Sequence, residues 1–357
     1  MRGARAAAAL VVLAPFVLGA TSAPQGPRGR EVFRFQDPAI VESSGLAWVG
    51  PAGDGLVATT NDSGDTGRVF AVDPVTGATA GTTTWGTAVG DPEDVEALAP
   101  AGDDAVWVAD IGDNLGRRDS VLVVRVPVGR GDRSVRPAAH RLAWPRGPRD
   151  AETLLRHPRT GRLYLVDKGV LGGTLAAAPR RLRTDRVNRL QPVGPVLGLA
   201  TDGAFWPDGR HVVLRSYARA VVYAFPSLEP VGDLPLPAQD QGEGLAVTPD
   251  GRVLVSSEGI GQPVLEVRVP ARLRRTLEAP ASPASPGAAE SSGSAVPSPQ
   301  QPTAGDGVGT GGASPLLVAG AAVGALALGG VVAAPALRAR RRRGPPARGG
   351  PPTPAAD

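Results

Sequence analysis

Acidic side chains recur in this chain at spacings that can gather them. Asp94 and Glu96 stand two positions apart, as do Asp150 and Glu152; in similar local sequence Glu42 occupies the place of the first member of such a pair and Glu243 that of the second. On an extended strand a spacing of two puts both side chains on one side, so each pair can aim its carboxylates at a common space. A second set falls later in each stretch: Asn61, Asp62, Asp65, Asp110, Asp113, Asn114, Asp167 and Glu258. Oxygen clusters of this kind suit Ca²⁺, another hydrated metal or a cationic ligand. A metal held there would also suit hydrolysis of a phosphate or carboxyl ester. The competing use is structural, because Asp and Asn close turns and repeated glutamates hydrogen-bond to neighbouring segments.

Other chemistries have less behind them, and no catalytic residue is assigned. Asp62-Ser63-Gly64-Asp65 is too short for an EF-hand, whose spaced ligands and closing glutamate are missing. His140, His157 and His211 form no compact metal motif; His157 and His211 read as surface turn residues. Ser43, Ser44 and Ser63 lack the Gly-x-Ser-x-Gly frame of a nucleophile elbow. Lys168 can pair with Asp167 or contact an anion. Trp48, Trp107 and Trp206 lie in strand-like runs and read as packing, whereas turns flank Trp85 and Trp144, which makes them candidates for ligand contact. No cofactor-binding motif is present.

The elements that must position these acids are short strands. Runs such as 55–60, 68–73, 105–109, 121–126, 162–167, 211–215, 220–225, 252–256 and 264–269 are rich in β-branched residues and bounded by turn pairs such as Asp208-Gly209 and Asp250-Gly251. No stretch of this region holds a long helical period, so helices should be scarce. The runs also repeat. Ser44-Gly45-Leu46-Ala47 is answered by Glu96-Ala97-Leu98-Ala99, Glu152-Thr153-Leu154-Leu155 and Glu243-Gly244-Leu245-Ala246, with a weaker copy at Asp202-Gly203-Ala204-Phe205. Copies at this period imply an all-β radial array, a β-propeller over residues 31–276. Leu46, Leu98, Leu154, Ala204 and Leu245 mark five inner strands. The last copy lacks an outer strand after 264–269, and residues 31–36 are expected to supply it and close the ring. Six blades remain open if 171–197 holds a divergent copy.

These copies resemble a family of exported actinobacterial propellers described as WD40-like and similar to esterase-like phytase domains. The resemblance covers residues 42–270 and rests on Glu42-Ser43-Ser44-Gly45-Leu46, Thr60-Asn61-Asp62-Ser63-Gly64-Asp65, Asp110-Ile111-Gly112-Asp113-Asn114 and Gln241-Gly242-Glu243-Gly244-Leu245. It implies propeller architecture. It supplies no catalytic set, and the Gly-His and Trp-Asp signatures of strict WD40 repeats are missing.

The two ends speak to location. Arg2, Arg5 and the apolar run 6–18 read as an export signal, residues 1–23, with cleavage near Ala20 to Ala23; an uncleaved anchor is the alternative. Residues 279–314 are rich in Pro, Ser, Ala and Gly and read as a disordered stalk. Residues 316–337 carry no charge and are long enough as a helix to span a bilayer, and the arginines of the basic tail 338–357 are expected to stay cytoplasmic. The chain is therefore expected to be a single-pass cell-membrane protein, signal removed, N-terminus outside and C-terminus inside. Lysine occurs once and arginine dominates, a bias associated with high-GC actinobacterial sequences. With no cysteine, disulfides and thiolate metal sites are excluded. Arg2 and Arg5 supply two of the formal +4 charges and residues 338–357 a further +5, six arginines against Asp357, so residues 6–337 carry −3. Nucleic-acid binding has no basic surface to rest on. The partners expected are the lipid bilayer through 316–337 and an envelope protein or small ligand. The leading function is an extracytoplasmic binding or envelope-organising module; the alternative is a metal-dependent phosphate-ester or carboxyl-ester hydrolase at the acidic mouth of the ring.

Overall fold

The computed structural model describes residues 29–279, apart from Ser63, Val89 and Asp103. The expected leader 1–23, span 316–337 and tail 338–357 lie outside the described residues, as does all of the 279–314 stalk except Ala279. Among the described residues no helix is long and apolar enough to cross a membrane.

Strand β1 (Arg30–Arg34) opens the described chain, and five sheets follow from it. Blade one holds β2 (Ser43–Val49), β3 (Leu56–Asn61), β4 (Arg68–Val72) and β5 (Thr79–Trp85); blade two holds β6 (Val95–Pro100), β7 (Ala105–Asp110), β8 (Val121–Pro127) and β10 (Ala139–Ala143). Blade three is β11 (Ala151–Arg156), β12 (Leu163–Asp167), β13 (Gly173–Ala177) and β15 (Gln191–Val196). Blade four is β16 (Asp202–Phe205), β17 (His211–Arg215), β18 (Ala220–Ala224) and β19 (Pro230–Leu234). Blade five is β20 (Gly242–Val247), β21 (Val253–Ser257) and β22 (Pro263–Val267), completed by β1. Within each blade the strands run antiparallel, as hairpin connections require.

The five-bladed count holds, and the closure holds with it. β1 pairs antiparallel with β22, Glu31 opposite Leu265 and Phe33 opposite Val264. The six-bladed alternative fails, because residues 173–177 and 191–196 are the third and fourth strands of blade three rather than a new copy. Two short segments add what the repeat did not foretell. β9 (Arg133–Val135) leaves blade two to pair in parallel with β5, and β14 (Asn188–Arg189) leaves blade three to pair in parallel with β10. Each covers the outer edge of the blade before it. Among the described residues one helix, α1 (Ala271–Glu278), packs Leu273 and Leu277 beside blades four and five.

The core lies between blades. Ala97, Ile111, Leu154 and Leu165 meet between blades two and three; Val69, Trp85, Val106 and Val124 meet between blades one and two. Blade five meets blade one through Phe33, Phe35, Ile40, Trp48, Phe70 and Val264, so β1 supplies aromatic packing as well as an edge. Burying such side chains is the main stabilising term, about 1.5–3 kcal/mol for each large one. Trp85 and Trp144, expected to contact ligand, are buried in these clusters at 4% and 5% exposure, and pack blades instead.

Candidate functional site

All five inner strands begin at one end of the ring and finish at the other, and this polarity separates two chemistries. At their starts lie Glu42, Asp94, Asp150, Glu96, Glu152 and Glu243; along their later residues lie Leu46, Leu98, Leu154, Phe205 and Ala246. Four of the five inner strands carry a register shift near the start, the mark of a β-bulge. Gly45 shows why: its φ is +73°, and a Cβ there would lie 2.7 Å from the Leu98 nitrogen. Only glycine allows the neighbouring inner strand so close.

Asp62, Asp94 and Glu96 form a close carboxylate group, with one oxygen from each inside a mutual 4.8 Å. Asp62 reaches it from the loop after β3, the other two from the lead-in and start of β6. Burial, then Asp62 and Asp150, push the Asp94 carboxyl up to about 6. Burial, then Asp62 and Glu152, lift Glu96 well above the usual carboxylate range. Gly112 makes room for the group, since a Cβ on it would lie 2.3 Å from Asp94 Oδ2 and 2.5 Å from Glu96 Oε1.

Further acids face the same mouth. Burial and Glu258 push Glu243 up to about 7, while burial, Asp62 and Glu42 do the same to Glu258. Glu152 pairs with Lys168 through Oε1, whereas its buried Oε2 has no partner among the described residues. Burial outweighs the pull of Lys168 and lifts Glu152 to about 8, helped by Glu243 and Asp150. Burial opposes the charge on Lys168, but Glu152 more than compensates and raises its pKa. Lys168 thus pairs with Glu152 and not with Asp167, and its ammonium stands 5.4 Å from the Tyr217 ring centroid. Such crowding of buried like charges is costly unless a cation or protons neutralise it.

The other sequence candidates do not join this group. Asp65 is held by Arg68 at 2.7 Å and by Asn61 at 2.9 Å. Asp110 pairs with Arg118 at 2.8 Å and accepts the backbone N–H groups of Glu93 and Asp94. Asp113 caps its own turn by accepting the N–H groups of Arg117 and Arg118. Asp167 binds Arg149 and the Thr174 N–H. Asn61, at the matching strand end, accepts the Val41 and Glu42 N–H groups. Asn61, Asp110 and Asp167, which end second strands, are therefore corner fasteners, whereas the acids that start first strands converge with Asp62 and Glu258 from the loops just after such strands. Asp150 does both, facing the acids while accepting the Asp113 N–H at 2.8 Å.

Sequence reading missed Asp202 and Arg215. Asp202 aligns with Glu96, Glu152 and Glu243 in the weak fourth copy, and that alignment was the available signal. Arg215 is completely buried; Nη1 donates to Gln239 Oε1 at 3.2 Å and to the Gly244 carbonyl at 3.1 Å, and Nη2 has no partner among the described residues. Burial lowers its pKa to about 10, against the pull of Glu243 and Asp202. The histidines stand away from the acids. His157 and His211 are buried rather than on the surface; His157 Nδ1 accepts the Arg159 and Thr160 N–H groups, and His211 pairs with Asp208. Both sit at turns joining first and second strands, at the end of the ring opposite the acids.

No family model and no curated protein matches the chain. Among solved structures it is similar to a glutaminyl cyclase of Myxococcus xanthus, at 13% identity and a TM-score of 0.40, covering 67% of this chain and 98% of that one. A gluconolactonase of Xanthomonas campestris gives 13% identity and 0.39, covering 68% and 99%; a glucose dehydrogenase gives 11% and 0.41, covering 68% and 100%. Likenesses of this size carry no argument about chemistry. The propeller assignment rests on the sheet order itself, and the narrower resemblance to phytase-type propellers has no match behind it.

Proposed function

We propose that the acidic mouth binds a divalent cation and that the face around it is the binding surface of a membrane-anchored, extracytoplasmic propeller. The observation that carries the reading is the Asp62, Asp94 and Glu96 group, three carboxylates within 4.8 Å. The adjoining unpartnered Oε2 of buried Glu152 and the space left by Gly112 support it. An all-oxygen donor set suits a hard ion such as Ca²⁺. The loops joining second to third strands leave this same end of the ring, and they carry exposed Leu115, Val170, Leu171, Tyr217 and Ile260. Apolar side chains grouped around a polar centre suit a partner surface better than bulk water. The export signal, the span 316–337 and the arginine tail support the location and make an envelope component the expected partner.

Calcium titration of the full-length chain in nanodiscs tests the cation site. Saturable binding with a rise in unfolding temperature, lost in Asp62→Asn and Glu96→Gln, is expected; no calcium effect on the unmutated protein would remove the reading. External protease on intact, wall-permeabilised cells tests the location. Cleavage between residues 279 and 314 with the arginine tail spared is expected, and recovery of the full chain without membrane association would contradict it.

A second reading, ester hydrolysis, draws on Glu152. Burial pushes the Glu152 carboxyl up, toward the protonated form that general-acid work uses, while Lys168 beside it opposes that shift. A bound cation would supply Lewis acidity. Calcium-dependent turnover of phosphomonoesters or carboxyl esters, lost in Glu96→Gln and Glu152→Gln, would favour the enzyme; binding of an envelope component without turnover would favour the module.

A further inference from the structure

The end of the ring opposite the acids holds a cavity of about 260 Å³. Leu46, Trp48, Leu98, Leu154 and Phe205 are among its lining residues, and inner strands of all five blades contribute. Its size falls just below the usual range of small-ligand pockets, roughly 300–1,000 Å³. Closure of the ring builds it, so no single blade specifies it, and it shares none of the acids of the opposite mouth.

One lining residue is out of keeping with the rest. Arg156 ends β11 at the rim, and its guanidinium makes no hydrogen bond or ion pair among the described residues. A neighbouring arginine, Arg125, is already engaged by Asp104 at 3.1 Å and by the Ala101 carbonyl at 3.2 Å. Burial, then Arg125, lowers the Arg156 pKa, the direction expected of a cation lacking a counter-charge. An arginine left without an acceptor beside an apolar chamber presents a planar donor fork that matches a carboxylate.

We propose that this cavity binds a small organic carboxylate with an aliphatic body, the body among the inner-strand leucines and Phe205 and the carboxylate on Arg156. The site is separate from the cation site and does not depend on it. Its ligand chemistry follows from the two ends of one chamber: apolar area rewards the chain, and Arg156 rewards the charge.

Octanoate, with octanol as its uncharged counterpart and acetate as its head group alone, tests the proposal on the full-length chain in nanodiscs. Empty nanodiscs supply the reference for partitioning, calorimetry reads binding, and fluorescence of Trp48 in the wall gives a second signal. Octanoate is expected to saturate one site per chain, with octanol weaker and acetate weaker still. Arg156→Gln should weaken octanoate about tenfold, the loss of one charge-assisted pair, and leave octanol nearly unchanged. Ala204→Phe, which fills the chamber from β16, should abolish binding of both while Arg156→Gln keeps the ring folded, as read by its unfolding transition. Glu96→Gln should bind octanoate as the unmutated protein does. Absence of saturable octanoate binding, equal loss of octanoate and octanol in Arg156→Gln, or undiminished binding in a folded Ala204→Phe protein would each overturn the proposal.

Discussion

The Asp202 carboxylate accepts the backbone N–H of Leu245 at 2.7 Å, tying blade four to the inner strand of blade five. The same Oδ2 also accepts the Leu46 N–H at 3.2 Å, in blade one, and Oδ1 takes the N–H of Gly203 at 2.8 Å. One buried side chain thus fastens three blades near the axis, where the acidic end gives way to the apolar one. Removing it leaves two buried inter-blade N–H groups without acceptors. Asp202→Ala should therefore cost about 2–4 kcal/mol in urea unfolding, and Asp202→Asn, which keeps an acceptor oxygen, clearly less. Equal losses in the two variants would mean that the inter-blade bonds contribute little.

Asp202 also marks the limit of what the sequence discloses. Ser44, Glu96, Glu152 and Glu243 announce their inner strands by local pattern, and the missing outer strand of the last copy points to residues 31–36. Those features are legible because each depends on alternation within one segment. The fate of an acid depends instead on where five segments converge. Glu96 and Asp110 look equally suited to a metal in sequence, yet one faces the axis and the other meets Arg118 at a corner. Arg215 reads as an ordinary strand end, and only the approach of blades four and five buries it. The parallel strands β9 and β14 span three and two residues, too few for any period to register.

Closure by β1 makes a prediction about the ring's seam. Phe33 is buried between blades five and one. Phe33→Ala should destabilise by about 3–5 kcal/mol, and deletion of residues 30–36 should abolish cooperative unfolding or cause aggregation, because the β22 edge is left bare. An unchanged transition in the deletion variant would show that the ring closes without β1.

Glu266 joins that seam electrostatically, meeting Arg30 on β1 and Arg252 at the lead-in to β21. Burial opposes its ionisation, but both arginines hold its carboxyl below the ordinary value. With the folded pKa depressed, its contribution is complete above the unfolded carboxyl pKa and is lost as pH falls through the folded one. The stability gap between the unmutated protein and Glu266→Gln should be present at pH 7 and close below about pH 4. Because the pair is partly exposed, salt should shrink the gap. A gap independent of pH would assign the effect of Glu266 to packing.

Gly112 offers a test of the cation site that removes no carboxylate. A methyl group there would overlap Asp94 Oδ2 and Glu96 Oε1, so Gly112→Ala must displace both from Asp62. The strand-end bonds of Asp110 to Glu93 and Asp94 hold the surrounding corner. Gly112→Ala should lose calcium binding by tenfold or more, about 1.4 kcal/mol, with a smaller effect on unfolding in chelator. Retained calcium affinity would place the ion elsewhere.

The acids around the mouth predict how pH and calcium act together. Glu243 and Glu258 are each pushed up to about 7, with burial the leading cause in both. A carboxyl whose pKa is raised on folding keeps a proton that the unfolded chain gives up. Between the unfolded value near 4.3 and the folded value near 7, the native state therefore holds more protons and stability declines as pH rises. In chelator the protein should melt at a higher temperature at pH 5 than at pH 8. Calcium should raise the melting temperature most at pH 8, where the ion replaces protons no longer present, and little at pH 5, where protons compete with it. Replacing both glutamates, as Glu243→Gln with Glu258→Gln, should flatten the pH dependence in chelator. A melting temperature that rises from pH 5 to pH 8 without calcium would show that these carboxyls are already ionised and compensated within the ring.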